Sequence, residues 1–319
     1  METDLAINSF YVDEPIQKIA HNARIVELVD EQYHAHDAIS KSKLCEFFED
    51  SELYWHRHVC KDIPKRKSSA AMDVGTVVHA CILEGKSVDD VAVEIPQECL
   101  TSSGSINSRG SNWQQWISTI GERIPMKRHE ITALQNAVAV VMRRPLIGKI
   151  CLDCNQFEKS VFWTDSETGL EMRLKFDALQ VGETKAHCYD IKKVAGISKR
   201  AFKLQVRKFA YWIQHSQYIE GIEKLLGKPV TFSWIAVEVE PPYRVREFFL
   251  PEEYSALARN KWRRLVNAFA EASVTNNWII DDNGQIELSE WDFDWLAEQE
   301  VDADLDWGNF ETENEEVTF

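Results

Sequence analysis

The sequence predicts a mixed α/β fold with a central sheet, and three observations carry that reading. Three β-rich runs, "EKSVFWTD" (158–165), "LEMRLKFDALQ" (170–180) and "KAHCYDIKK" (185–193), are separated only by the turn-like "SETG" and "VGET". Stretches with apolar residues at helical spacing lie on both sides of them. Apolar residues make up 44% of the 319, with 11 Trp, which is enough to bury one large core or two smaller ones.

Each element has its own signal. "SKSKLCEFFEDSELYWHRHV" begins with Ser40 as a cap and predicts one helix over 41–59; "SSAAMDVGTVVHACILEG" predicts a second over 68–85, ended by Gly85. Residues 101–112, rich in Ser, Gly and Asn, read as a flexible loop ahead of Trp113 and Trp116. "EITALQNAVAVVMRRP" is a helix that halts before Pro145. The three-strand meander follows, then one long helix over 199–226 that stops at Gly227. "VTFSWIAVEVE" adds a strand and "EEYSALARNKWRRLVNAFAEAS" a final helix.

Charge and cysteine content narrow the setting. No apolar run approaches a membrane span and the first residues lack a basic start and an apolar centre, so a cytoplasmic protein is expected. Seven scattered cysteines suit reduced thiols, and the lone CxxC of Cys151 and Cys154 reads as two core residues rather than a zinc or redox pair. The net charge of -16 is unevenly spread: 16 acids and no base lie beyond Arg264, which leaves 36 acids against all 36 bases before it. From Ile191 to Ile219 there are seven bases and no acid, the footprint that a phosphate backbone selects.

One motif carries chemistry. If "KFDALQ" and "HCYDIKK" are adjacent strands, Asp177 lies beside Asp190, and Lys192 projects with Asp190 because residues two apart on a strand share a face. Two neighbouring carboxylates repel, and a divalent cation relieves them. Oxygen ligands suit Mg²⁺ or Mn²⁺, with the Ile191 backbone carbonyl a further ligand. A lysine beside such a cation can hold a water for attack on a phosphodiester. The plain alternative is an ordinary strand pair with a surface ion pair.

More residues favour the site. "YHAHDAISKSKLCEFF", "LYWHRH", "MDVGTVVHACILEG", "EKSVFWTDSETGLEMRLKFD", "YDIKK" and "FKLQVRKFAYWIQHSQY" stand in the order and spacing of the RecE (exonuclease VIII) family. The chain resembles that family from about Tyr33 to Tyr218, and more loosely through "ELSEWDFDWL". The resemblance implies a restriction-endonuclease-like PD-(D/E)XK core, related to the RecB nuclease domain and more remotely to lambda exonuclease, with a central mixed sheet flanked by helices. It makes His79 a metal ligand reached from a helix, Asp177 and Asp190 the acidic ligands, and Lys192 the catalytic lysine. Glu158 matches an acidic position that binds metal directly or through water, or is a plain strand residue. Gln214 and Tyr218 match a QxxxY element that positions phosphate and DNA; Tyr211 shares that helix face or packs in the core. Phe176 stands where the family name has proline.

The implied activity is hydrolysis of double-stranded DNA from 5′ ends with one or two Mg²⁺ or Mn²⁺, leaving 3′ single strands for a RecT-type annealing protein. A ring-shaped homo-oligomer is implied too. No cysteine follows Cys188, which argues against an iron-sulfur cluster. Arg173 and Lys175, alternating with Asp177, and the basic helix residues Lys199, Arg200, Lys203, Arg207 and Lys208 are candidates for phosphate contact. Arg109 and the two tryptophans after it either touch the duplex end or belong to a surface loop. Residues 1–298 form the expected nuclease domain, and 299–319 an acidic tail that is disordered or competes with DNA for the basic groove. The rival functions are a PD-(D/E)XK endonuclease or RNA-processing nuclease, and a non-catalytic DNA-binding module.

Overall fold

The computed structural model describes residues 23–64 and 70–279. From β1 (Ala23–Val26) the chain runs through α1 (Asp30–Ala35), α2 (Lys41–Glu49) and α3 (Ser51–Tyr54) into a π-helical segment, Trp55–Cys60. α4 (Ala70–Leu83) and α5 (Val88–Val91) lead to a two-stranded parallel sheet of β2 (Ala92–Glu94) and β3 (Ile124–Met126), with α6 (Ser111–Ile117) between them in the chain. α7 (Arg128–Val141) and α8 (Pro145–Asp153) precede β4 (Gln156–Thr164), β5 (Glu171–Val181) and β6 (Ala186–Val194). α9 (Lys199–Lys208) and α10 (Tyr211–Leu226) then lead to β7 (Val230–Glu238), β8 (Val245–Phe248) and α11 (Glu252–Thr275).

The main sheet has six strands in the order β1-β4-β5-β6-β7-β8. The meander β4-β5-β6 is antiparallel, whereas β6 and β7 run parallel. A parallel neighbour requires a crossover, and α9 with α10 supplies it. Helices cover both faces. Leu44 of α2, Ile213 and Ile222 of α10 and Trp262 and Val266 of α11 form one core with Trp163, Leu174 and Trp234. Val77 and Ile82 of α4, Leu134 of α7 and Ile147 of α8 form the other with Ile191 and Ile235. β7 feeds both cores, which explains why "VTFSWIAV" is almost uninterruptedly apolar.

The meander, the parallel strand and the final helix lie where the sequence predicts them, but two single helices are each divided. The one expected over 41–59 breaks at Asp50, whose extended backbone and side chain, accepting from the Leu53 N–H at 2.8 Å, cap a new helix. The one expected over 199–226 breaks at Ala210, which has a left-handed φ of 46°. No glycine or proline marks that break. Burial explains it: α9 buries only Phe202, while twelve residues of α10 are buried. Pro145 ends α7 and also starts α8, as its fixed φ suits a first helical position. The 101–112 segment is partly ordered by a Leu100–Ile106 bridge and runs into α6, which begins at Ser111. β1, β2, β3, β8, α1, α5, α6 and α8 have no counterpart in the sequence reading. The tail 299–319 lies outside the described residues. No described helix is long and apolar enough to cross a membrane. Cys154 packs in the second core, and Cys151 lies against it with its thiol 3.9 Å from the Ile82 carbonyl.

Packing of α10 on the sheet depends on Gly221. A Cβ there would lie 2.6 Å from Trp163 Cζ3 and 2.7 Å from Leu174 Cδ2, and both side chains are enclosed in the core. Gly221→Ala is therefore expected to destabilise the protein by about 1–3 kcal/mol. Chemical denaturation checks this, and an unchanged midpoint would show that the contact is looser than drawn.

Candidate active site

The site begins where two strands part. β5 and β6 pair from Val181–Ala186 up to Ala178–Tyr189; beyond that β5 pairs with β4 alone and β6 with β7 alone. Asp177 and Asp190 are the first residues past this fork. The Ile191 N–H, deprived of a ladder partner, donates to Asp177 Oδ2 at 2.6 Å. Because the N–H and C=O of one strand residue point the same way, the Ile191 carbonyl faces the same gap.

Glu158 lies across β4 from Asp177, between the pairs Phe157–Ala178 and Lys159–Phe176. Its backbone is left-handed, with φ 53°, a conformation that disfavours a residue bearing a Cβ. The strand changes faces there. Val161 and Trp163 pack in the first core, while Phe157, which strict alternation would send to the same side, packs in the second. β5 does the same around Asp177, between Phe176 and Ala178.

His79 reaches this point from α4, whose valines anchor the helix in the second core. Its Nε2 is 2.8 Å from Asp177 Oδ2 and its Nδ1 3.2 Å from Glu158 Oε1. Lys175 Nζ lies 2.9 Å from Glu158 Oε2. Among the described residues, His79, Glu158 and Asp177 form the group able to hold a metal, with ligand atoms within 4.8 Å of one another. One imidazole and two carboxylates, with a third carboxylate on Asp190 beside them, suit a hard or borderline divalent cation.

Asp190 is held from the opposite side. Gln214 Nε2 donates to its Oδ1 at 2.5 Å, and Lys192 ion-pairs with its Oδ2. The Lys192 ammonium also lies 5.4 Å from the centre of the Tyr211 ring. Tyr218 differs from the expectation of phosphate contact: its hydroxyl donates to the Lys175 carbonyl at 2.9 Å, so it braces β5 from inside. Gln214 is likewise buried and acts on Asp190.

Arg173 needs a correction. It is 2% exposed, donates to the Tyr33 carbonyl and lies with its guanidinium 4.5 Å from the Tyr33 ring centre, an enclosure no phosphate reaches. Lys175 faces Glu158 within the cluster. Lys199, Arg200, Lys203, Arg207 and Lys208 are exposed along α9, and Arg109 is exposed ahead of α6. The α9 stripe leads toward the site through Phe209, whose ring stacks on Tyr211 at 5.7 Å. Sequence reasoning missed Lys41, which approaches the same Tyr211 ring from α2.

The electrostatics are those of crowded, buried acids. Burial favours the neutral form of Glu158 and pushes its pKa up to about 7 despite His79 and Lys175. Burial, aided by Asp177 and opposed by Lys192, brings Asp190 to about 6. Asp177 goes the other way: burial opposes its charge, but His79, Lys192 and the Ile191 N–H outweigh that and hold it below the ordinary carboxylate range. Burial alone would neutralise His79, yet Asp177 and Glu158 raise it to about 9. A cation must displace these protons. Mn²⁺ affinity is accordingly expected to rise with pH, by roughly tenfold or more between pH 6.5 and 8.5, with protons released on binding. Calorimetry in two buffers of different ionisation enthalpy measures both; a pH-independent affinity would contradict the ligand set.

Residues 40–288 match the model of a family described as "PDDEXK-like domain of unknown function (DUF3799)". The fold is similar to the crystal structure of a Eubacterium rectale protein described as a "Putative exonuclease", with a TM-score of 0.51 and 18% identity over 84% of this chain and 93% of that one. The structure of protein VC1899 from Vibrio cholerae matches at a TM-score of 0.20 and 11% identity, over 78% of this chain and 58% of that one. No curated protein matches the sequence. The family match spans His79, Glu158, Asp177, Asp190 and Lys192 together with the whole six-stranded sheet except β1, and the chain belongs to the PDDEXK-like domain family.

Proposed function

We propose that the protein is a metal-dependent exonuclease of double-stranded DNA that works from 5′ ends and leaves 3′ single strands. The observation that carries hydrolysis is the meeting of His79, Glu158 and Asp177 at the strand fork, with the Asp190–Lys192 pair beside them. His79, Asp177 and Asp190, with Glu158 beside them, would hold a divalent cation, Mg²⁺ or Mn²⁺, which would supply charge stabilisation for the phosphoryl group and a lowered pKa for the attacking water.

The chain's own groups do the rest. Burial would strip the Lys192 ammonium of its proton, but Asp190 and Asp177 hold it charged, above the ordinary lysine range. It can therefore orient the attacking water through a donated hydrogen bond and steady developing negative charge. Gln214 fixes the Asp190 carboxylate, and Tyr218 fixes the β5 backbone next to Asp177. The exposed bases of α9 offer a track for phosphates that is independent of base sequence.

Exonuclease action, 5′ polarity, a ring-shaped homo-oligomer and a RecT-type partner take their support from the motif order shared with the RecE family. The description of the Eubacterium rectale protein, "Putative exonuclease", agrees with exonuclease action alone. Linear and covalently closed circular duplexes, labelled at 5′ or 3′ ends and incubated with Mg²⁺, test the proposal. Linear DNA alone should be degraded, with early release of the 5′ label. Cutting of circles would favour the endonuclease reading.

A further inference from the structure

Lys41 is the first residue of α2, and its ammonium lies 5.5 Å from the centre of the Tyr211 ring, against 5.4 Å for that of Lys192. Two cations thus approach one aromatic ring. They differ in their partners. Lys192 is ion-paired with Asp190, whereas Lys41 has no carboxylate within ion-pair distance among the described residues and interacts instead with the buried thiol of Cys45. Burial lowers the Lys41 pKa from its ordinary value, with nearby Lys192 acting in the same direction and Cys45 and Asp190 opposing. A partly buried ammonium that the described residues leave without an anion, beside a second ammonium, is a costly arrangement. An incoming anion relieves it.

We propose that Lys41 is a second catalytic cation, which takes a non-bridging oxygen of the scissile phosphate and leaves Lys192 to serve the attacking water. The division follows from the geometry. Lys192 is tied to a carboxylate of the metal group and so moves with it, while Lys41 is rooted in α2, lies against the Tyr211 ring and is close enough to Lys192 and Asp190 to feel both charges. A point charge there favours the phosphoryl oxygens as they gain charge, at no cost in reorganisation. Ser40 supports the placement: its side chain accepts from the Lys43 N–H and fixes the first turn of α2, and hence the root of Lys41.

The inference rests on the nuclease reading, and its test separates the two. Lys41→Met keeps the aliphatic stem and removes the charge. On linear duplex DNA with Mg²⁺ it is expected to lower kcat about 100-fold, the loss typical of one transition-state donor, with Mn²⁺ affinity unchanged and the thermal midpoint equal to or above that of wild type. Lys41→Arg should restore part of the rate. A second measurement needs no catalysis: in EDTA, inorganic phosphate should raise the midpoint of wild type more than that of Lys41→Met. Equal phosphate shifts overturn the assignment, as does a variant within threefold of wild-type kcat or one whose lost activity comes with lost metal binding. If wild type itself leaves DNA intact, the nuclease reading fails, and the phosphate shifts still decide whether Lys41 serves an anion site.

Discussion

Lys192→Ala is expected to lower DNA hydrolysis by about 10³-fold or more, the combined weight of a positioned proton-bearing group and a transition-state charge. The fold should survive, because Lys192 lies at the open fork and its neighbours Ile191 and Val194 keep their places in the cores. Metal-free stability should not. Without its ammonium, Asp190 keeps only the Gln214 amide and becomes a buried acid with a missing counter-charge. The variant should therefore unfold at a lower temperature in EDTA, and Mn²⁺ should recover most of the difference. Denaturation with and without Mn²⁺, alongside a digestion time course, measures both effects. Activity within tenfold of wild type would move the chemistry away from Lys192.

Asp177→Asn should act through the cation. Asp177 accepts the Ile191 N–H and pairs with His79, and the asparagine oxygen can keep the first contact but not the charge. His79, held at about 9 chiefly against burial by the Asp177 carboxylate, should then titrate lower. Mn²⁺ binding should weaken about 100-fold or more and hydrolysis should disappear with it. The unfolding midpoint of wild type should climb on adding Mn²⁺, because a ligand bound only by the folded state stabilises it, and that climb should vanish in the variant. A full Mn²⁺ response in Asp177→Asn would place the cation elsewhere.

The chemistry was more legible than the architecture around it. Asp177, Asp190 and Lys192 sit on two strands joined by a short turn, so local spacing and strand alternation suffice to bring them together. His79 and Glu158 needed family resemblance, since a helix-borne histidine carries no spacing that ties it to a distant strand. The left-handed Glu158, which turns β4 from one core to the other, has no signal in its residue type. Arg173 shows the reverse error: alternation correctly puts it on the side of β5 shared with Asp177, but only tertiary structure reveals that Tyr33 closes over it. Ala210 hid the division of α9 from α10 because alanine favours helix, and the demand that one half stay wet and the other enter the core overrode that preference. Lys41 escaped notice for a related reason. A lysine after a serine cap reads as a solvated first turn, and nothing local says that Tyr211 waits opposite.

The most direct test of the account is anomalous diffraction from crystals of the protein soaked in Mn²⁺. A peak should lie within ligand distance of Asp177 and of His79, Glu158 or Asp190, at the gap between β5 and β6. A well-occupied Mn²⁺ elsewhere on the chain, with the fork left empty at a concentration that supports hydrolysis, would contradict it.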